Sequence, residues 1–87
     1  MEGLDFAFVD PGPMPVNLRF LETFVWIARL GSFSKTAERL NSTLSAVSAR
    51  MQALESELGV RLLERQGRSI RLTQQGRDAL PIAERLL

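Results

Sequence analysis

Apolar residues recur at helical spacing in several stretches of this chain and at alternating spacing in one. Between Asn41 and Gly59, NSTLSAVSARMQALESELG, the residues Val47, Met51, Leu54 and Leu58 lie four, three and four positions apart, which stacks them on one face of an α-helix. The opposite face carries Ser45, Ser48, Ala49, Gln52 and Ser56, all small or neutral. A solvated helix face normally carries charge, so this bare face predicts a helix able to approach a partner closely. Thr43 is placed to cap its start, and Gly59 to end it in a left-handed conformation.

The run before it predicts a first helix. Asn17 stands as its N-cap, Phe20, Leu21, Phe24, Val25, Ile27 and Ala28 form a broad apolar stripe, and Gly31 ends it. Trp26 and Leu30 fall off that stripe and are expected to be covered by the fold or by a second chain. Gly31-Ser32-Phe33-Ser34 then makes a tight connection, with Ser34 expected to cap a short helix, KTAERL, that ends near Asn41. A short helix, a three-residue turn and a longer helix make a helix-turn-helix.

After Gly59 the period changes. In VRLLERQGRSIRLT, Leu62 on one side and Ile70 and Leu72 on the other bracket Gln66-Gly67-Arg68-Ser69, which predicts a β-hairpin with Ile70 and Leu72 inward and Ser69 and Arg71 outward. Thr73 is positioned to cap a last helix, TQQGRDALPIAERLL, where Gly76 permits close packing and Pro81 either kinks the helix or is tolerated. Ile82, Ala83, Leu86 and Leu87 keep an apolar spacing to the last residue, as expected of a truncated protein or of a helix that pairs with a copy of itself. At the other end, Met1 to Val16 holds Pro11, Gly12, Pro13 and Pro15. It reads as a flexible extension, with docking of Phe6, Phe8 and Val9 on a neighbour as the alternative.

Composition narrows the chemistry. Eighty-seven residues suit one small domain. The chain has no cysteine and no histidine, which excludes disulfides, thiolate and imidazole metal sites and a Ser-His-Asp triad. Glu55 and Glu57 are two apart on a helix and share no face, so an enzyme is not expected. No apolar run approaches the roughly twenty residues that span a bilayer, and no secretory signal is recognisable, so no membrane partner is expected and the expected location is cytoplasmic.

Net charge is only +1, but Arg61, Arg65, Arg68, Arg71 and Arg77 stand against Glu64 alone between residues 61 and 77. All but one of the eleven basic residues are arginine, whose planar fork suits phosphates and guanine edges. Ser34, Lys35 and Thr36 at the start of the short helix form a second candidate anion seat, through free backbone N–H groups and the helix dipole. The plainer alternative is that Ser34 only caps and Lys35 is only solvated.

From Asn17 to Leu87 the sequence resembles the N-terminal DNA-binding domain of LysR-type transcriptional regulators, a likeness carried by GSFSKTAERL, SAVSARMQALE, ELGVRLLER and RLTQQG in that order and spacing. The resemblance implies a mainly α fold. A winged helix-turn-helix of three helices and a two-stranded wing would occupy residues 17–72, and residues 73–87 would begin a linker helix through which two chains dimerise, with Ile82, Leu86 and Leu87 at the seam. It further implies sequence-specific binding of double-stranded DNA as a homodimer, regulating transcription as bacterial regulators do. In full-length members a two-lobed effector-binding domain follows and four chains commonly assemble. That domain lies outside this sequence, so a small-molecule effector is expected only there and no cofactor or metal in this chain.

Residue by residue, the resemblance implies that Ser34, Lys35 and Thr36 approach the phosphate backbone. Thr43, Leu44, Ser45, Ser48 and Ala49 would enter the major groove, and Arg65 and Arg68 would form the wing contact along the backbone or the adjacent minor groove. Many members carry glutamine where this chain has Leu44, and often arginine where it has Ala49; here Arg50 comes one position later. Leucine offers a base only apolar contact, for instance to a thymine methyl. Arg50 lies about 60° round the helix from Val47, on the flank, and is expected to reach a phosphate. With small side chains on the reading face, much of the specificity is expected from DNA shape. The competing reading is a winged-helix module used only for protein contact. It predicts no arginine cluster in the wing and a bulky apolar outer face on the third helix; Leu44 favours it and the arginine-rich stretch counts against it.

Overall fold

Side-chain caps set where the helices begin. In the computed structural model, which describes residues 17–87, α1 spans Leu18–Leu30, α2 Phe33–Arg39, α3 Leu44–Leu58, β1 Leu63–Gln66, β2 Ser69–Leu72 and α4 Gln74–Leu86. The expectations for Met1 to Val16 lie outside the described residues. Asn17 Oδ1 accepts the Arg19 N–H at 2.8 Å, and α1 ends at Gly31 with φ 66°. Thr43 Oγ1 accepts the Ala46 N–H at 3.1 Å, and α3 ends at Gly59 with φ 72°. Both glycines adopt the left-handed backbone that a Cβ disfavours.

One cap differs from expectation. Ser32, not Ser34, caps α2: its hydroxyl accepts the Lys35 N–H at 3.1 Å, and the helix starts at Phe33, two residues before Lys35. An N-cap residue needs extended backbone, and Ser32 has it at φ −157° and ψ 131°. Ser34 is already helical.

The core gathers Leu21, Phe24, Val25 and Ile27 from α1, Ala37 from α2, Val47, Met51 and Leu54 from α3, Leu62 and Leu63 at the entry to β1, and Ala83 from α4. Three of the four apolar residues assigned to the inner face of α3 are therefore buried. Leu58 is not: it remains 40% exposed at the last position of α3, where the chain turns away through Gly59. Trp26 is half-buried, and its ring is covered by two arginines, Arg39 with its guanidinium carbon 4.3 Å from the ring centroid and Arg29 at 5.3 Å.

The hairpin forms with Leu63 opposite Leu72, Glu64 opposite Arg71, Arg65 opposite Ile70 and Gln66 opposite Ser69. Its two-residue loop is Gly67-Arg68, and Gly67 at φ 64° supplies the positive φ that a tight hairpin turn demands at its first position. Ile70 and Leu72 are half-buried against the core while Ser69 and Arg71 face outward, in the predicted alternation.

Three contacts fix this wing to the helices. Glu55 Oε2 on α3 accepts the N–H groups of Leu62 at 2.7 Å and Leu63 at 3.1 Å. Thr73 donates its N–H to the Leu62 carbonyl at 3.0 Å and its hydroxyl to the Arg61 carbonyl, while the same hydroxyl caps α4 by accepting the Gly76 N–H at 3.0 Å. Gly76 is buried so tightly that a Cβ there would collide with the Leu62 carbonyl oxygen, the close packing expected of it. The α4 helix runs unbroken through Pro81, so the helix tolerates the missing N–H. It packs on α1, where Arg29 and Glu84 approach to 3.4 Å. Among the described residues no helix is long and apolar enough to cross a membrane.

Candidate nucleic-acid interface

The outward face of α3 is bare and accessible. Leu44 is 51% exposed, Thr43, Ser45, Ala49, Gln52 and Ser56 are exposed, and Ser48 and Arg50 are half-buried. Apart from Leu44 none of these outward residues is a large apolar one, which is the opposite of what a protein-docking helix would present.

The start of α2 is only partly as expected. Ser34 and Lys35 are exposed, and among the described residues the backbone N–H groups of Phe33 and Ser34 have no hydrogen-bond partner. Thr36, expected beside them at a phosphate, is instead 0% exposed and donates its hydroxyl to the Ser32 carbonyl at 2.8 Å. Its side chain faces the core together with Ala37, the other buried residue of α2.

The arginines of the wing region divide into two groups. Arg71 donates to Gln66 Oε1 at 2.6 Å and lies 4.0 Å from Glu64; Arg77 donates to the Leu72 carbonyl at 3.1 Å and to Gln74 Oε1 at 3.0 Å. Arg61 donates to the Leu63 carbonyl at 3.4 Å and sits 3.9 Å from Glu55. These three hold the wing together. Arg65 and Arg68 have no hydrogen-bonded or ionic partner among the described residues and remain available to an anion. Their positions differ. Arg68 is at the tip of the loop, whereas Arg65 shares the inner face of the hairpin with Ile70.

That inner face closes one side of an open groove of about 180 Å³, lined by Phe33 at the start of α2, Ser48 and Gln52 on α3, and Arg65 and Ile70 on the wing. Of the residues assigned to DNA contact, the groove brings together Ser48 and Arg65; Ser34, Lys35, Leu44, Ser45, Ala49 and Arg68 lie outside its lining. Ile82, Leu86 and Leu87, assigned to dimerisation, do not line it; they are exposed on and just beyond α4. Glu55, whose two acceptor contacts orient the wing against α3, carries no recognisable signal in the sequence, because its partners lie seven and eight residues away across a turn.

The sequence model of bacterial regulatory helix-turn-helix proteins of the lysR family matches residues 18–77. The chain belongs to that family. The fold of this LysR-family chain is a winged helix-turn-helix followed by a further helix. It is 50% identical over 72 residues to an HTH-type transcriptional regulator from the ibpB-leuC intergenic region of Azotobacter vinelandii, a match covering 83% of this chain and 50% of the relative. It is 43% identical over 72 residues to the HTH-type transcriptional regulator CitR of Bacillus subtilis, covering 83% of this chain and 25% of CitR. Among solved structures, the DNA-binding domain of CbnR in complex with DNA superposes with a TM-score of 0.78 at 39% identity, covering 82% of each chain. The LysR-family chain therefore spans half or less of the length of these curated relatives. Those relatives are transcriptional regulators.

Proposed function

We propose that this chain is a sequence-specific, double-stranded DNA-binding domain that acts as a cytoplasmic homodimer in transcription regulation, without enzymatic activity. The observation that carries the reading is one groove that brings together Phe33 at the start of α2, Ser48 and Gln52 on α3 and unpaired Arg65 on the wing, with unpaired Arg68 in the loop of the same hairpin. A protein surface built to receive a polyanion needs unengaged cations at its rim and no charge where the base edges would lie. CbnR, whose DNA-binding domain shares this fold, has been solved bound to DNA.

In this reading α3, about 22 Å long, lies in the major groove. Ser45, Ser48 and Ala49 face the bases with Thr43 and Leu44 at the leading end, where Leu44 packs on a thymine methyl. Ser34 and Lys35 approach one phosphate strand, Arg50 reaches a phosphate from the flank of α3, and Arg65 and Arg68 hold the strand on the wing side. Thr36 has no part, being buried. Ile82 and Leu86 on α4 and Leu87 just beyond it join two copies and set the half-sites about 34 Å apart or at a multiple of that distance. Four cations per chain correspond to a salt slope of about −0.9 per phosphate neutralised, or roughly −7 for the dimer.

The test is binding of fluorescently labelled duplex by the wild type and by Ser45→Glu. Ser45 is exposed in the first turn of α3, where a carboxylate favours the helix dipole, so the variant keeps its melting temperature. Facing phosphates, the same carboxylate abolishes DNA binding. Undiminished binding by Ser45→Glu would remove α3 from the interface.

A further inference from the structure

We propose that Gln52 reads an adenine in the major groove and is the specificity-determining side chain of α3. The inference rests on the DNA-binding reading above and adds to it a residue that none of the expected contacts includes. Gln52 is seven residues beyond Ser45, two helical turns less about 20°, so it lies almost directly in line with Ser45 and about 10 Å farther along the same face. It is exposed, and among the described residues its amide has no hydrogen-bond partner. By contrast, Gln66 and Gln74 are engaged by Arg71 and Arg77.

Beyond the apolar contact of Leu44, the chemistry of the face leaves hydrogen-bonded base recognition to this residue. Leu44 has no polar atom and Ala49 no functional group, while the hydroxyls of Ser45 and Ser48 are short and pair with any base. A glutamine amide presents one donor and one acceptor in a plane, the complement of adenine N6 and N7. Position separates a base contact from a phosphate contact. Gln52 forms the helix side of the α3–wing groove beside Ser48, and Arg65 stands on the opposite, wing side. The cation meets the phosphate strand at the rim, which leaves the neutral amide to the base edges.

Selection of binding sites from a random duplex pool, with the 87-residue chain and its Gln52→Ala and Gln52→Glu variants, tests this; circular dichroism melts confirm that both variants fold. The expected result is a wild-type motif with an adenine in each half-site that Gln52→Ala no longer specifies, with affinity for the selected site falling about five- to 150-fold. Glutamate accepts from cytosine N4, so Gln52→Glu should replace that adenine by cytosine. A wild-type motif retained in full by Gln52→Ala, or an equal loss of affinity for all duplexes in Gln52→Glu, would overturn the role of Gln52 and leave the DNA-binding reading standing. Failure of the wild type to enrich any motif would overturn both.

Discussion

Replacing Glu55 by alanine isolates the contact that joins α3 to the wing. The carboxylate accepts two backbone N–H groups, from Leu62 and Leu63, and its side chain is only 17% exposed. Leu62 and Leu63 are themselves buried, so neither donor finds bulk water when the acceptor is removed. Two orphaned donors that had a charged acceptor put the loss at about 2–5 kcal/mol. A domain of roughly seventy residues has about 3.5–10 kcal/mol to lose, so the substitution removes a large fraction of its stability. A loss near 3 kcal/mol lowers the melting temperature by about 12–24 °C in a domain of this size.

Glu55→Gln keeps one carbonyl acceptor and gives up only the charge assistance, a loss of about 1 kcal/mol. Thermal melts followed by circular dichroism measure the global effect. Amide hydrogen exchange at Leu62 and Leu63 measures the local one, because these protons should exchange far faster in Glu55→Ala even at temperatures where the helices persist. A melting temperature within about 3 °C of wild type, with unchanged protection at both amides, would refute the assignment of Glu55 as the anchor of the wing.

Gly76→Ala should destabilise the fold even though alanine is the better helix former by about 1 kcal/mol, because the new methyl meets backbone rather than a side chain that can move; a melt at or above wild type would contradict that packing. Arg68→Ala should weaken binding to specific and random duplex alike and make the salt slope shallower by about 1 per chain in a titration from low to moderate salt, and an unchanged slope would exclude the wing tip from the phosphate contacts. Leu86→Glu, at an exposed position on α4, should shift sedimentation of the DNA complex from two chains towards one without altering the melt of the helix-turn-helix; an undisturbed dimer would move the seam elsewhere.

What could be read from the sequence was what depends on near neighbours. Asn17, Thr43 and Thr73 cap their helices, and Gly31 and Gly59 end theirs, because a cap needs only a polar atom two or three residues from a free N–H or a glycine that accepts positive φ. The wing was legible for the same reason: a glycine in a two-residue loop between alternating runs fixes the register. The α2 helix was not. Two serines flank Phe33, and seven residues give too short a window for the apolar period to decide which one caps. The same short window hid that Thr36 faces the core and not a phosphate. Glu55 escaped because its partners are brought near only when α3 and the hairpin fold together. The division of the arginines into those that brace the wing and those left unpaired likewise depends on side-chain geometry that a charge count does not contain.

The contact between Gly76 and Leu62 makes α4 a lever whose fulcrum is the entry to the wing. From Gly76 to Leu86 the helix runs about 15 Å, so a tilt of roughly 13° at the glycine carries its far end through about 3.4 Å, the rise of one base pair along a strand. If two such levers join at their far ends, the distance between their α3 helices follows the seating of one glycine against one carbonyl. A methyl group there would change the operator spacing that a dimer prefers before it changed any residue that touches DNA.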